Sequence, residues 1–136
     1  MIIADTSGLI AFYSQSGQQH EQVASWLDKN DDIMVVSPYV MAELDYLVAT
    51  RKSVDAELAV LAELTGGAYE LAAMSADDVA TARDVIARYH DLGVGLADAS
   101  MVVLAERYRT RTILTLDHKH FSVMRPLGGG LFKIAP

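Results

Sequence analysis

The sequence predicts an α/β protein with three layers, α/β/α, around a sheet of four to five mainly parallel strands. Short runs of the chain are apolar at every position, which is typical of strands buried on both faces of a parallel sheet. Helical stretches separate these runs, as connections between parallel strands require. Right-handed crossovers then place helices on both faces of the sheet.

The first predicted strand, residues 1–4, is too short for a helix and ends at a polar segment that begins with Asp5. Asn30 opens a turn before the second strand, and three consecutive glycines precede the last apolar run. The strands after the first are expected at residues 33–36, 69–73 and 112–116, with a fifth candidate at 131–134.

Helices are predicted from capping residues and from apolar side chains three and four positions apart. Ser37 is an N-cap residue, and Pro38 occupies the first helical position. Ser75 and Asp78 have the spacing of a capping box, with aspartate in place of glutamate. The predicted helices cover residues 9–13, 20–29, 38 to about 51, 53–64, 75–89 and 96–108.

Composition predicts one globular domain spanning residues 1–136, because 51% of the residues are hydrophobic and 21% are charged. The chain has no cysteine, which excludes a disulfide scaffold, a thiolate zinc site, an iron–sulfur cluster and a cysteine nucleophile. The first residues lack the basic region of a signal peptide, and no apolar run reaches the ~18–20 residues of a membrane span. We therefore expect a soluble, cytoplasmic protein with no membrane partner.

Charge is unevenly distributed along the chain, whose net charge is −7. Residues 1–104 contain 5 basic and 16 acidic side chains, whereas residues 105–136 contain 6 basic and 2 acidic ones. The basic C-terminal quarter is either a surface that faces phosphate or a set of solvated cations. Its members are Arg107, Arg109, Arg111, Lys119, Arg125 and Lys133.

Four carboxylates are expected at one edge of the sheet. Asp5 and Asp117 follow the first and fourth strands, and Glu43 lies in the second turn of the helix after the second strand. Asp98 lies in the first turn of the helix that leads into the fourth strand. Ligands of open parallel sheets gather beyond the carboxyl ends of the strands. Apolar residues flank all four acids, so we expect them to be embedded rather than solvated.

Each aspartate could instead cap a helix or begin a turn. If the four converge, however, two unit charges ~4 Å apart repel by about 4 kcal/mol at an effective dielectric constant of 20. A divalent cation is the natural counter-charge, and oxygen ligands without cysteine favour Mg²⁺ or Mn²⁺ over zinc. The hydroxyl groups of Thr6, Ser7 and Thr115 could orient a carboxylate or a water there, or serve only helix capping and strand formation.

Four segments together resemble the PIN-domain nucleases and, within them, the short toxins of VapBC toxin–antitoxin modules. They are Asp5-Thr6-Ser7, Ser37-Pro38 followed by Glu43, Gly95-Leu96-Ala97-Asp98-Ala99, and Leu114-Thr115-Leu116-Asp117 followed by Phe121. The resemblance extends from residue 1 to about residue 132. It implies a PIN-like α/β/α fold, Mg²⁺- or Mn²⁺-dependent endoribonuclease activity, a homodimer and a cognate antitoxin that blocks the site.

The resemblance also implies roles for individual residues. The core acids of the family correspond to Asp5, Glu43 and Asp98, while Asp117 matches a fourth acidic position that varies, and Thr115 one that often supports that acid. Our hypothesis is that Asp5, Asp98 and Asp117 bind one or two metal ions, with Glu43 a ligand or the group that orients the water. Metal-activated water would hydrolyse an RNA phosphodiester to a 3′-hydroxyl and a 5′-phosphate. The predicted contacts to the RNA backbone are Arg107, Arg109, Arg111, Lys119 and Arg125.

Other functions remain open from the sequence. A magnesium-dependent phosphatase or phosphotransferase also places an aspartate after its first strand, but Ser7 stands where such enzymes commonly have a second acid. A phosphoacceptor domain needs a lysine at a strand end beside the acids, and the sequence shows none. A dinucleotide-binding module needs a glycine-rich loop after the first strand, which is also absent. A non-catalytic RNA-binding protein is a further alternative.

His118 and His120 could act as acid and base of a metal-free ribonuclease, although solvation or RNA contact in a polar turn is the favoured interpretation.

Two adjacent predicted helices carry more apolar residues than one buried stripe requires. This surplus suits a dimer or an antitoxin peptide, and ordinary core packing is the alternative. The residues are Tyr39, Val40, Tyr46, Leu47, Leu58, Leu61 and Leu64.

Overall fold

Five strands of three residues each form one sheet in the computed structural model, which describes residues 1–136. Seven α-helices and a short 3₁₀ helix connect or follow the strands. In chain order the elements are β1 (Ile2–Ala4), α1 (Thr6–Tyr13), α2 (His20–Asp28), β2 (Met34–Val36), α3 (Pro38–Arg51), α4 (Val54–Leu64), β3 (Tyr69–Leu71), α5 (Ala76–Arg88), the 3₁₀ helix (His90–Leu92), α6 (Leu96–Arg107), β4 (Thr112–Leu114), α7 (His118–Val123) and β5 (Lys133–Ala135).

The predicted α/β architecture is confirmed, and the sheet is parallel throughout rather than mainly so. Its strand order is β3-β2-β1-β4-β5. In the central strand β1, Ile2, Ile3 and Ala4 are all at most 1% exposed. Because successive side chains of a strand point to opposite faces, both faces of the sheet are covered, as a three-layer arrangement requires.

Strand lengths differ modestly from the prediction. β3 and β4 end two residues earlier than predicted, although the N–H groups of Ala72 and Thr115 still donate to the neighbouring strands. The fifth strand begins at Lys133, which pairs in register with Thr112, instead of at Leu131, whose side chain is largely exposed. Pairing with β4 therefore sets the position of β5 more than its apolar pattern does.

The predicted helix starts at Ser37 and Ser75 are confirmed, since each serine side chain accepts a backbone N–H of its helix. The interpretation of the segment after Asp117 as a polar turn is wrong, because that segment forms α7. The Asp117 carboxylate caps α7 by accepting the N–H of His120 at 3.1 Å. Phe121 anchors the helix, being 1% exposed and packed edge-on against Phe132 at 6.1 Å between ring centroids.

The topology creates a switch point between β1 and β4. The chain builds β2 and β3 on one side of β1 and then crosses back to place β4 on the other side. Crossovers leaving neighbouring strands in opposite directions open a crevice at the carboxyl edge of a parallel sheet. Gly8 allows α1 to pack closely here, because a Cβ at this position would lie 2.7 Å from the Leu114 carbonyl oxygen. Asp5 and Thr115 therefore emerge side by side.

The apolar surplus of α3 and α4 divides between core and surface. Val40 and Leu64 belong to the core, so ordinary core packing is the correct alternative for these two residues. Tyr46 and Leu58 are 66% and 59% exposed, and Val54 is similarly exposed. Tyr39, Leu47 and Leu61 are half-buried.

No helix of the chain combines the length and the apolar character that crossing a bilayer demands.

Candidate metal centre

Asp5 is held rigidly at the end of β1. Its side chain is buried, and its Oδ1 accepts the backbone N–H of Thr6 at 2.8 Å, which caps α1. Its Oδ2 accepts hydrogen bonds from the hydroxyl groups of Ser7 at 2.9 Å and Thr115 at 2.6 Å. Three donors thus fix the carboxylate before any ligand binds, which is the pre-organisation that a functional site requires.

Thr115 links the carboxylates that follow β1 and β4. It is fully buried, and while it donates to Asp5, its Oγ1 accepts the backbone N–H of Asp117 at 2.9 Å. The Ser7 hydroxyl is 3.2 Å from this oxygen and accepts the backbone N–H of Leu116 at 2.9 Å. Both hydroxyl groups therefore orient carboxylates, one of the alternatives that the sequence left open. The Thr6 hydroxyl, in contrast, has no hydrogen-bond partner.

Asp98, Asp117 and His120 form a cluster whose nearest ligand atoms all lie within 4.8 Å of one another. Asp98 stands in the first turn of α6, where its Oδ2 also accepts the N–H of Gly95 at 3.4 Å. The Nδ1 atom of His120 lies 2.7 Å from Oδ2 of Asp117 and 3.6 Å from Oδ2 of Asp98. Residues from α6, the end of β4 and α7 therefore meet at the switch point.

The electrostatics of this cluster reflect burial of several negative charges together. Burial, together with the nearby carboxylates of Asp5 and Asp117, raises the pKa of Asp98 to about 6, although the Gly95 N–H and His120 act in the opposite direction. Burial also raises the pKa of Asp5, although the hydrogen bonds from Thr115 and Ser7 favour the ionised form. The site is short of positive charge, and such strained carboxylates are typical of functional centres.

Glu43 reaches the same place from α3. Asp5, Glu43, Asp98 and Asp117 all line an open cleft of about 690 Å³. The expectation that Glu43 is embedded is wrong, because its side chain is exposed at the rim: its apolar neighbours Val40 and Leu44 point into the core from the adjacent face of the helix. The four acids converge as the topology predicts, one of them at the solvent boundary.

Two basic side chains line the cleft, and the sequence analysis assigned neither of them to the cluster of acids. Glu43, Leu47 and Arg51 are spaced by four along α3 and line the cleft together. Arg51 has no acidic partner within 4 Å. His120 is the other basic side chain of the lining. No lysine lines the cleft, which removes the feature that a phosphoacceptor domain needs.

The basic residues of the C-terminal quarter are dispersed. Arg107 is occupied, since it pairs with Asp78 and donates to the Ala73 carbonyl at 2.7 Å. Arg109 and Arg111 precede β4 and line a separate cavity at the amino edge of the sheet, opposite the acids. Lys119 is exposed in the first turn of α7, next to the cleft.

Arg125 follows α7, where it donates to the carbonyl groups of Ser122 and Val123. The structure therefore brings the acids together, and of the predicted basic residues only Lys119 is placed next to them.

The residues present suit a divalent cation. Two partly buried carboxylates and a ring nitrogen present donor atoms to one small space, and the nearby Asp5 adds a third negative charge. Carboxylate oxygens are the ligands that Mg²⁺ and Mn²⁺ prefer, and a single imidazole is compatible with Mn²⁺. A bound cation would also offset the burial and the repulsion that together raise the pKa of Asp98.

Comparison with known proteins identifies relatives of this arrangement. Residues 2–125 match the sequence profile of the PIN domain. The chain is 56% identical over 135 residues to Ribonuclease VapC26 of Mycobacterium tuberculosis, covering 99% of this chain and all of that protein.

Solved structures share the fold. VapC20 of M. tuberculosis, described as a toxin that cleaves the sarcin–ricin loop, matches with a TM-score of 0.80 at 18% identity, over 87% of this chain and 91% of its own. A toxin–antitoxin complex from Klebsiella pneumoniae matches with a TM-score of 0.71 at 18% identity, over 91% of this chain and 92% of its own. These two establish the architecture, while the profile and the 56% identical relative establish the kinship.

Proposed function

The chain belongs to the PIN-domain family and, within it, to the VapC ribonucleases, and from this premise we propose that it is a metal-dependent endoribonuclease acting as the toxin of a toxin–antitoxin pair. One observation carries the proposal: Asp5, Glu43, Asp98 and Asp117 come from four separate parts of the chain and line a single cleft at the switch point. Ordinary capping explains each aspartate alone, but it explains neither their convergence nor Glu43.

We assign Asp5, Asp98 and Asp117 to binding Mg²⁺ or Mn²⁺, with Glu43 at the rim as a ligand or as the group that orients the attacking water. A divalent cation, when bound, lowers the pKa of water and neutralises phosphoryl oxygens. Ser7 and Thr115 hold the Asp5 carboxylate in place through their hydroxyl groups. Glu43 is exposed and free to accept a proton from a water that approaches the phosphate. The water oxygen forms a bond to phosphorus, the bond between phosphorus and the 3′ oxygen breaks, and that oxygen takes a proton from solvent, which gives a 3′-hydroxyl and a 5′-phosphate.

Removing divalent cations is expected to stop cleavage. A fluorescent single-stranded RNA is incubated with the full chain in excess EDTA, and Mg²⁺ or Mn²⁺ is then restored. The single arginine of the cleft is too little positive charge to neutralise four acids, so the reaction should depend on the cation. We expect no cutting in EDTA, recovery with either cation, and fragments that carry 5′-phosphates. Cutting that persists in EDTA and leaves a cyclic phosphate would contradict the proposal and favour histidine chemistry instead.

Replacing Arg51 with alanine is expected to raise KM for RNA by about tenfold, equivalent to about 1.4 kcal/mol, because an unpaired arginine on the cleft wall is placed to contact a phosphate. The affinity for RNA should also depend less on salt, because the slope of log affinity against log salt concentration should decrease in magnitude by about 0.7. The matched control is Arg109→Ala, at the opposite edge of the sheet, which should change KM less than about twofold. Equal effects of the two substitutions would argue against Arg51 as the contact.

Lys119, beside the cleft, is assigned to the RNA backbone as well, whereas Arg107, Arg109, Arg111 and Arg125 would meet only RNA that extends beyond the cleft. This division follows from their positions, since Arg107 is paired with Asp78 and Arg109 and Arg111 line a different cavity.

Protein partners are part of the proposal. The exposed Tyr46, Val54 and Leu58 on α3 and α4 support a homodimer, because exposed apolar side chains on neighbouring helices favour burial against a partner. A cognate antitoxin would block the cleft, and we place the activity in the cytoplasm, where its RNA substrate is. Light scattering at micromolar concentration is expected to give twice the mass of the chain, and a strict monomer would contradict the dimer.

A further inference from the structure

One side chain of the cleft has no part in the reaction proposed above. His120 lies in α7, whose first turn is fixed by the Asp117 cap. Because residues two apart on a helix point in different directions, His118 is exposed while His120 is turned toward the acids, with its side chain only 19% exposed. The same helix thus supplies an inward histidine and, two residues away, an outward one.

The two ring nitrogens of His120 meet different surroundings. Nε2 lies 3.1 Å from the carbonyl oxygen of Leu92, which can only accept, so the network assigns the ring proton to Nε2. Nδ1 then carries a lone pair in the neutral ring. It is buried and makes no hydrogen bond, although Oδ2 of Asp117 is 2.7 Å away and Oδ2 of Asp98 is 3.6 Å away.

This geometry has a simple chemical resolution. A lone pair that faces two carboxylate oxygens is unfavourable unless a positive species lies between them. The Asp117 oxygen is close to Nδ1 but off the direction of an N–H bond, which is how two neighbouring ligands of one ion are placed. A histidine that ligates a metal through one nitrogen characteristically donates its other N–H to a carbonyl or carboxylate, as Nε2 does to Leu92.

We propose that Nδ1 of His120 is a direct ligand of the divalent cation held by Asp98 and Asp117, so that the centre has a mixed nitrogen and oxygen donor set. The inference rests on the proposed function, since it concerns the same cation. Imidazole nitrogen binds Mn²⁺ more readily than it binds Mg²⁺, whose preference for oxygen is stronger. His120 therefore gives this site a preference for Mn²⁺ that an all-carboxylate centre lacks.

Pulsed electron paramagnetic resonance on Mn²⁺ bound to the untagged full chain tests the inference directly. A coordinated imidazole nitrogen gives a ¹⁴N modulation, which changes to the ¹⁵N pattern when the protein is made with ¹⁵N-histidine. The wild-type protein is expected to show both, and since His120 is the only histidine that lines the cleft, labelling needs no substitution to be informative. Mn²⁺ bound without nitrogen coupling would overturn the inference and leave the proposed function intact. Failure of the wild type to bind Mn²⁺ at all would overturn both.

Two substitutions assign the signal to its residue. His120→Ala is expected to remove the ¹⁴N modulation and to weaken Mn²⁺ binding by at least about tenfold, the loss that even an outer-sphere partner causes, with a smaller change for Mg²⁺. His118→Ala, on the exposed side of the same helix, is expected to retain both the modulation and the affinity. If His120→Ala lowers Mn²⁺ and Mg²⁺ affinities equally and the modulation persists, His120 is not the ligand.

Discussion

Asp5→Asn and Asp98→Asn are each expected to reduce RNA cleavage by at least about 10³-fold while leaving the protein folded. Asparagine keeps the shape of the side chain but removes the negative charge that holds a cation. A bound cation contributes several kcal/mol to stabilising charge in the transition state, and about 4 kcal/mol corresponds to 10³ in rate. Asp98→Asn retains an oxygen that can accept the Gly95 N–H, so α6 should still begin at the same residue.

Single-turnover cleavage at saturating Mg²⁺ measures this effect, with circular dichroism as the test of folding. Asp91→Asn is the matched control, because Asp91 is a fully exposed acid just before α6 that lies outside the cleft. It should cleave at the wild-type rate. An Asp98→Asn protein that is folded and retains even a tenth of the wild-type rate would remove this carboxylate from the mechanism.

Most of the site could be predicted from the sequence because the carboxyl ends of the predicted strands can be located in it. One predicted strand is followed at once by Asp5, and another contains Thr115 and is followed by Asp117, which indicates the residues that stand at the edge of a parallel sheet. The pairing of β1 with β4 then brings them together across more than 100 residues. Such acids can be found in a sequence because their positions follow from where the strands end, and runs of apolar residues mark the strands.

His120 could not be found in that way. In an extended segment, residues 118 and 120 would point to one side, and the choice between strand, turn and helix after Asp117 depended on two contacts that are distant in sequence. One is the packing of Phe121 on Phe132, and the other is the hydrogen bond from Nε2 of His120 to the Leu92 carbonyl oxygen. A predicted Asp117 cap with Phe121 four residues later would have been the available signal for α7.

The basic residues illustrate a different limit. The clustering of arginines in the last quarter of the sequence predicted a common surface, but β4 separates them, so that Arg111 precedes the strand and Lys119 follows it. Three residues of strand are enough to place charges at opposite edges of the sheet. Arg51 is distant from these residues in sequence, and the signal that could have found it is its spacing of eight residues, two steps of four, from Glu43 along α3.

The carboxylates that we assign to cation binding should make the metal-free protein less stable at neutral pH, and Asp98→Asn should reverse part of this cost. The pKa of Asp98 is about 6 in the folded protein, above its ordinary value of 3.8. The folded state therefore binds more protons than the unfolded state between these values, and this group's contribution to stability is lost as the pH rises through the window. At pH 7.5 we expect asparagine to raise the free energy of unfolding by about 1–2 kcal/mol, after allowance for solvent screening.

Urea unfolding in EDTA at pH 7.5, 6 and 4 measures the size and the sign of the difference in the free energy of unfolding between Asp98→Asn and the wild type. The advantage of Asp98→Asn should shrink through pH 6 and be largely lost near pH 4, where the wild-type carboxyl is protonated in the folded state and partly protonated in the unfolded state. Asp78→Asn supplies a control of opposite sign, because the Ser75 backbone N–H and Arg107 lower the pKa of Asp78. That variant should be less stable than wild type at pH 7.5, with the deficit narrowing as acid protonates Asp78. If Asp98→Asn destabilises the protein at every pH, the carboxylate serves the fold rather than the cation, and the functional assignment of the cleft loses its electrostatic basis.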